Sequence, residues 1–307
     1  MIVLSLSSIV AHAQDVPALD PELLEPEREP TPIERPRPPR VRARTGHGPP
    51  LHWDERWGRW GVADQVAIGL LLAGTVGFQI AGPRRSDDPW VRTSTLDETV
   101  RDGLRLEREV GRQRIRDASD VFLSLTVAWP LLFDALAAAL WYHESPRVAR
   151  ELALMAVETQ FVSATIQSFA NMISSRQRPY VQDCGTEVDP DDRDCTSRVR
   201  YRSFFSGHTS QAFAGAATTC MYHARVPLYG GGTTEAMPCI AMMTLAAATG
   251  LFRIMGDMHW ITDVVTGAVM GTAVGLIVPA LRMRARRNRL QISLVPNGIG
   301  LGMVGAY

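Results

Sequence analysis

The chain contains no lysine, so all 32 of its basic residues are arginines. It also has no net charge, because 32 acidic residues balance the arginines. A balanced charge gives no electrostatic support for a nucleic-acid partner. The guanidinium group is planar and permanently charged, and its N–H donors match the oxygens of a phosphate two at a time. The composition therefore disfavours nucleic-acid binding and leaves arginine as the cation for any phosphate site.

Hydropathy also varies strongly along the chain, which the mean hydropathy of −0.03 does not show. Residues 1–13 hold a short apolar run that ends in Ala-His-Ala, which is typical of a cleaved signal peptide. Residues 14–60 are polar and contain 10 of the 20 prolines, which predicts a disordered Pro/Arg-rich linker. Trp53, Trp57 and Trp60 close this segment and suit either a membrane interface or a solvent-shielded turn.

The remainder of the chain is rich in long apolar segments. Six of them predict helices, at residues 62–81, 118–142, 148–174, 209–223, 236–255 and 260–282. A bilayer span takes about 20 apolar residues, and four or five of the six meet that length. Between the first two, residues 96–115 show a helical pattern with charges of both signs, which predicts one amphipathic helix outside the hydrocarbon. The expected fold is an all-α integral-membrane bundle of about six helices over residues 61–285, with a tail of residues 286–307.

Cysteine is scarce, with four residues in the chain. Cys184 and Cys195 flank an acidic loop, and in an exported protein this spacing favours a disulfide. Metal binding is less favoured there, because no Cys-x-x-Cys pair or histidine cluster accompanies them. Cys220 and Cys239 lie in apolar runs and are expected to pack as small hydrophobic side chains.

Three short segments carry residues suited to phosphate chemistry. Residues 171–179 end in Arg178-Pro179, residues 203–209 contain Ser206-Gly207-His208 before an apolar helix, and residues 253–263 run from Arg253 through His259 to Asp263. Free N–H groups at a helix start can cradle an anion. Of two imidazoles, one can act as nucleophile and one as proton donor. Asp263 lies four residues after His259, where it can hold the imidazole N–H if the segment is helical.

These segments resemble the motifs of the type-2 phosphatidic acid phosphatase and vanadium haloperoxidase superfamily, written K-x6-R-P, P-S-G-H and S-R-x5-H-x3-D. The resemblance covers residues 118–282, its membrane branch consists of lipid phosphatases, and the internal spacings are kept. Three positions differ: Asn171 replaces the lysine, Phe205 the proline and Phe252 the serine. Because the chain lacks lysine altogether, Arg176 or Arg202 is expected to supply the missing charge.

The resemblance implies roles for the motif residues. His259 would attack phosphorus and form a phosphohistidine, Asp263 would orient its ring, and His208 would protonate the leaving group. The phosphate ligands would be Arg178, Arg253 and the groups at Ser206 and Gly207, with Asn171 at the lysine position. The implied enzyme needs no metal or other cofactor and hydrolyses a lipid phosphate or prenyl diphosphate. The alternatives are a vanadate-dependent haloperoxidase and a weakened, non-enzymatic anion-binding member of the family, which Asn171 and Phe252 motivate.

The arginines also predict an orientation in a bacterial inner membrane. Arg147 and Arg150 precede the third apolar segment, and five arginines follow the last one, at residues 282–289. The positive-inside rule puts both groups in the cytoplasm and the three motifs in the periplasm. A cleaved signal peptide followed by six spans would instead leave both chain ends outside. Either the signal is retained or an early segment, residues 62–81, does not cross. The sequence does not indicate the oligomeric state.

Overall fold

The computed structural model describes residues 47–83, 90–284, 291–297 and 300–306, and the predicted signal peptide lies outside them. Eight α-helices occur in the described part: α1 Val62–Ala81, α2 Thr95–Leu104, α3 Glu109–Trp129, α4 Pro146–Ser174, α5 Arg193–Thr196, α6 Gly207–Arg225, α7 Ala236–Met255 and α8 Ile261–Arg282. A π-helical segment, Pro130–Tyr142, continues α3, and short 3-10 turns occupy Pro179–Asp183, Arg198–Tyr201 and Gly232–Glu235. The strands β1 Gln291–Asn297 and β2 Gly300–Ala306 form an antiparallel hairpin. The predicted helical bundle is confirmed, and the tail forms the hairpin.

Four of the helices are long and apolar enough to cross a membrane, namely Val62–Ala81, Glu109–Tyr142, Gly232–Met255 and Ile261–Arg282. The four spans make the chain a multi-pass membrane protein. α4 and α6 are more polar and lie among the others. The buried side chains of α4 include Glu151 and Thr159, and those of α6 include Thr218 and Thr219.

The six long helices, α1, α3, α4, α6, α7 and α8, alternate in direction in the order in which they occur along the chain. α1 and α4 run parallel, since Trp60 N–H bonds Glu151 and Thr75 bonds Thr165 further along. The end of α8 meets the start of α1, where the Gly58 N–H donates to the Arg282 carbonyl over 2.7 Å. We call this the basic end, and the opposite end, where α6 begins and α7 ends, the site end. Residues 47–60 therefore lie at the basic end.

Glycines in α8 set the close packing of α8 on α6. A Cβ on Gly267 would lie 2.8 Å from the Ser206 carbonyl oxygen, and one on Gly271 would lie 2.2 Å from that of Ser210. Side chains larger than hydrogen therefore do not fit at these positions. Small residues spaced by four along a helix allow such close contact in membrane bundles. This contact aligns the start of α6 with the start of α8 at the site end.

Three sequence expectations need correction. The helix expected over residues 96–115 is interrupted between α2 and α3, because the Leu106 N–H bonds Met255 O and Arg112 binds the carbonyls of Leu106 and Glu107. The disordered linker does not extend over residues 47–60, where Trp53 and Trp60 are buried against the bundle, as in the shielded-turn alternative.

The third correction concerns the cysteines in the apolar runs. Cys220 and Cys239 do not pack as separate thiols but form a disulfide, because the end of α6 and the start of α7 bring their Cα atoms within 4.5 Å. Cys184 and Cys195 form the predicted disulfide at the site end. The chain thus carries one disulfide at the site end and one towards the basic end.

Candidate active site

A cavity of about 170 Å³ opens at the site end and collects most of the predicted residues. Its walls come from the end of α1, the last turns of α4, the loop before α6 and the loop between α7 and α8. The lining residues are Phe78, Gln79, Gly82, Pro83, Gln167, Ser168, Asn171, Met172, Arg178, Arg202, Gly207, His208 and His259. Segments far apart in sequence thus present two imidazoles and two guanidinium groups to one small polar space.

His259 lies in the loop that joins α7 to α8 and is 3% exposed. Its Nδ1 lies 2.8 Å from the backbone carbonyl oxygen of Ser203. A carbonyl only accepts, so Nδ1 carries the proton and the neutral ring keeps a lone pair on Nε2. Burial lowers the pKa of His259 to about 4; Asp263 opposes that shift and the positive charge of Arg178 adds to it. At neutral pH the ring is therefore neutral and its Nε2 is a competent nucleophile.

Asp263 sits in the first turn of α8, where its carboxylate caps the helix by accepting the Trp260 N–H over 3.0 Å. The carboxylate also accepts the Ser203 hydroxyl and pairs with Arg176. Its distance to His259 Nδ1 is 3.8 Å, which is longer than a hydrogen bond. Asp263 is next to the imidazole, as expected, but the Ser203 carbonyl takes the N–H. Sequence reasoning missed Ser203, whose role depends on a backbone atom.

His208 occupies the second position of α6 and is partly exposed to the cavity. Its Nε2 lies 3.0 Å from an oxygen of Asp120 on α3, and the same oxygen accepts from Arg253 on α7. Asp120 therefore fixes the positions of both side chains at the cavity. It was missed because it lies outside the motifs. The usable signal was an acidic residue within a predicted span, which is a functional suspect by default.

Arg178 follows the end of α4 and points into the cavity. Among the described residues no carboxylate forms an ion pair with its guanidinium, and its Nη1 contacts the Met258 sulfur at 3.7 Å. Its Nε is buried without a partner. Unpaired buried donors are costly unless something binds them. Arg178 is thus available to an anion, whereas Arg253 is engaged by Asp120.

The start of α6 contributes backbone donors. Ser206 is the N-cap, and its hydroxyl accepts from the Thr209 N–H and hydroxyl. Its own N–H donates to the Asp263 carbonyl and is therefore not free for a ligand. Gly207 and His208 are the first two helical residues, whose N–H groups have no intrahelical acceptor. The expected anion cradle therefore starts at Gly207 rather than at Ser206.

The three substituted motif positions have different surroundings. Asn171 lines the cavity; its amide nitrogen donates to the Gln167 carbonyl at 3.3 Å, and its oxygen is buried without a partner. Phe252 stacks on Phe122 of α3, with ring centroids 5.5 Å apart, and does not line the cavity. Phe205 is buried, and its carbonyl accepts the Gln167 amide.

Of the two arginines expected to replace the lysine, one reaches the cavity. Arg202 lines it next to Asn171 and donates to Gln79 over 2.8 Å. Arg176 is 2% exposed and turns away, into ion pairs with Asp97 and Asp263. The expectation for Arg176 is therefore wrong, because its charge is already neutralised.

The family model of the PAP2 superfamily matches residues 152–287. A lipid A 1-phosphatase of Porphyromonas gingivalis is 39% identical over 74 residues, which span 24% of this chain and 15% of that relative. A crystal structure of a transmembrane PAP2-type phosphatidylglycerolphosphate phosphatase from Bacillus subtilis aligns with a TM-score of 0.47 and 16% identity, over 74% of this chain and 100% of that one.

Proposed function

We propose that the chain is a membrane phosphatase of the PAP2 superfamily, whose family model matches residues 152–287, and that it acts on a lipid phosphate or prenyl diphosphate. The observation that carries the proposal is the convergence of Arg178, His208 and His259 on one cavity. Each comes from a different segment, and together they supply a nucleophile, a proton donor and an unpaired phosphate ligand. The Porphyromonas gingivalis relative, named for dephosphorylating a lipid, supports the same substrate class.

The proposed reaction has two steps. In the first, the Nε2 lone pair of His259 forms a bond to phosphorus while the bond from phosphorus to the leaving oxygen breaks, and His208 gives that oxygen a proton. In the second, a water attacks the phosphohistidine, His208 takes the proton of the water, and the N–P bond breaks. The phosphate oxygens are held by Arg178, Arg253 and the N–H groups at Gly207 and His208, where charge develops. A phosphate oxygen replaces Asp120 as the partner of Arg253 and His208.

The position of the cavity supports a lipid substrate. It lies at the end of the bundle, and α1 and α4 form one of its walls through Phe78, Gln79 and Met172. α1 has no buried residue and packs mainly along α4. A headgroup can sit among the polar residues while its tail extends along the apolar face of α1. Selectivity for the tail would then depend on the seam between α1 and α4.

We further propose that the site end faces the periplasm of a bacterial inner membrane. The basic end carries Arg147 and Arg150, and residues 283–290 add four arginines without an acid. Arg101, Arg105 and Arg176 at the site end are held in ion pairs with aspartates. Because the two disulfides lie towards opposite ends, they do not favour either orientation. In this orientation residues 47–60 are cytoplasmic, so residues 1–13 would not act as a cleaved signal peptide.

Phosphate release by the purified full-length chain in detergent tests the proposal. A lysophospholipid phosphate, a diacylglycerol phosphate and a prenyl diphosphate would be offered, with and without excess EDTA. We expect release that survives EDTA, since arginines supply the positive charge at the site. No release from any of the three, with phosphate binding retained, would instead identify a non-enzymatic anion-binding protein. Halide oxidation with added vanadate would identify the haloperoxidase alternative.

A further inference from the structure

Arg176 has a role that the motif comparison does not assign. Its guanidinium is buried between two carboxylates, those of Asp97 on α2 and Asp263 on α8. Nη2 donates to Asp97 over 2.7 Å, and Nη1 donates to Asp263 and, over 2.7 Å, to the Thr262 hydroxyl. Two indole rings flank it, with Trp90 at 4.5 Å and Trp260 at 5.8 Å from the guanidinium carbon. None of these groups lines the substrate cavity.

The same network reaches the nucleophile through Ser203. The Ser203 N–H donates to the Arg176 carbonyl over 3.1 Å, and its hydroxyl donates to Asp263. Its carbonyl is the atom that accepts His259 Nδ1–H. Arg176 thus fixes Ser203 twice, once through its own backbone and once through Asp263. The position of the Ser203 carbonyl determines which nitrogen of His259 carries the proton.

The two buried carboxylates of this network depend on the positive charge of Arg176. Asp97 and Asp263 are both buried, and Arg176 is the guanidinium that bridges them. Removing one partner of a buried ion pair leaves an uncompensated charge, which is far more damaging than losing the pair as a whole. Lysine keeps the charge but cannot bond three acceptors in the fixed planar geometry of a guanidinium. Arg176→Lys therefore perturbs positions while preserving charge.

We propose that Arg176, anchored by Asp97, is a positioning residue that holds the Ser203 carbonyl and Asp263 so that His259 presents an unprotonated Nε2 to the substrate. It acts through Ser203 and Asp263 and does not touch the phosphate. The inference rests on the proposed function only for its kinetic readout, because the tautomer of His259 can be observed without turnover.

The chain offers a matched control at the basic end. Arg282 also bridges two carboxylates, Glu158 at 2.6 Å and Asp64 at 2.7 Å, and lies 4.2 Å from the ring of Trp60. Arg282→Lys therefore disturbs the same kind of network far from the cavity. Asp97→Asn tests the anchor without leaving a carboxylate unpaired, since Arg176 and Asp263 remain together.

Steady-state kinetics and ¹⁵N-histidine NMR of the full chain in detergent test the proposal, with the His259 signals assigned by their loss in His259→Gln. We expect kcat of Arg176→Lys to fall about ten- to a hundredfold, the cost typical of a small misplacement at a reacting centre, with KM within about twofold. Asp97→Asn should show a smaller loss of kcat, and Arg282→Lys none. The His259 spectrum should change from the Nδ1–H tautomer to a mixture in Arg176→Lys, less so in Asp97→Asn, and not in Arg282→Lys.

Two results would overturn the inference. A raised KM with kcat retained in Arg176→Lys would make Arg176 a substrate ligand, and an unchanged His259 tautomer would remove the positioning role. If the wild-type chain releases no phosphate, the proposed function fails, and the spectra of Arg176→Lys and Arg282→Lys still decide this inference.

Discussion

At the scale of single residues, the protonation of His259 determines how activity falls at acidic pH. An unperturbed histidine titrates near pH 6.5, but burial lowers the pKa of His259 to about 4. Below that pH the ring gains a second proton on Nε2 and loses its nucleophilic lone pair. The attacking form of His259 stays fully populated from neutral pH down to about 5, so we expect its loss to lower kcat/KM only as pH drops through about 4. A pH–rate profile with lipid phosphate measures this.

Substitution of His259, with a control histidine, tests its assignment as nucleophile. His259→Ala should abolish phosphate release, whereas His52→Ala, on an exposed residue at the basic end, should leave it unchanged. An acidic limb near pH 6.5 would show that His259 is not buried in the active state. Retention of more than a few per cent of activity in His259→Ala would remove its assignment as nucleophile.

Asn171 is the second residue whose effect can be measured. One N–H of its amide donates to the Gln167 carbonyl, so at most one neutral N–H remains for a ligand in the cavity. A lysine there would reach a phosphate held by Arg178, seven residues further along. A charge-assisted contact is worth about 1.5–3 kcal/mol, so Asn171→Lys should raise kcat/KM by about one to two decades. Initial rates at low substrate concentration report this directly.

Arg202 sets the control for that gain, because it lines the same cavity beside Asn171. If Arg202 already serves as the missing lysine, Arg202→Gln should lower kcat/KM by a comparable factor and the gain in Asn171→Lys should shrink. Neutral results for both substitutions would contradict a phosphate contact on this side of the cavity.

The motif residues were predictable from sequence because their signals are local. A Ser-Gly pair before an apolar run predicts the start of α6, and the spacing from His259 to Asp263 predicts proximity across one helical turn. Asp120, Ser203 and Arg176 were not assigned correctly for the opposite reason. Their partners lie 56 to 133 residues away in sequence, and only the packing of the helices brings them together.

At the scale of elements, α2 shows what a sequence pattern leaves open. Its charges predict an amphipathic helix, but its polar face points to the protein rather than to water. Asp97, Arg101 and Arg105 are spaced by four residues and share one face. They bind, in turn, Arg176, Asp257 and Asp183. α2 therefore holds the loop that carries His259 in place. Its amphipathic pattern alone did not show which surface its charged residues contact.

The packing of α8 on α6 gives an element-scale prediction. A Cβ at Gly271 would lie 2.2 Å from the Ser210 carbonyl, a backbone atom that cannot move aside. Gly271→Ala should therefore separate the helices and destabilise the protein by about 1–3 kcal/mol, as overpacking typically does. The shift would also displace the start of α6, so activity should fall. Thermal unfolding in detergent, measured together with phosphate release, checks both effects.

Gly77→Ala in α1 is the matched substitution, because a Cβ there meets nothing within 4 Å. Alanine is favoured over glycine in a helix by about 0.5–1 kcal/mol, so this variant should be as stable as the wild type or slightly more so. Equal behaviour of the two variants would mean that α8 does not pack on α6 as described.

At the scale of the whole molecule, the even number of alternating long helices has a consequence for topology. The start of α1 and the end of α8 lie together, so we expect the segment before α1 and the segment after α8 on the same side of a membrane. Six spans after a cleaved signal peptide would leave the C-terminal arginine cluster outside, whereas the positive-inside rule places that cluster in the cytoplasm. α1 starts at the contact of Gly58 and Asp64 with Arg282 and ends at the cavity of the opposite end, which disfavours the option that residues 62–81 do not cross. The remaining choice is between the signal peptide and the positive-inside rule.

Cysteine labelling in intact cells distinguishes the two orientations. All four native cysteines are paired, so an introduced thiol is the reactive one. Asp102 on α2 and Glu55 before α1 are exposed acidic residues at the site end and the basic end. With the site in the periplasm, Asp102→Cys should react with a membrane-impermeant maleimide in intact cells, and Glu55→Cys should react only after the cells are permeabilised. The opposite pattern would support a cleaved signal peptide and place the cavity in the cytoplasm. The lipid reaching His259 would then come from the inner leaflet, so the labelling also determines which leaflet supplies the substrate.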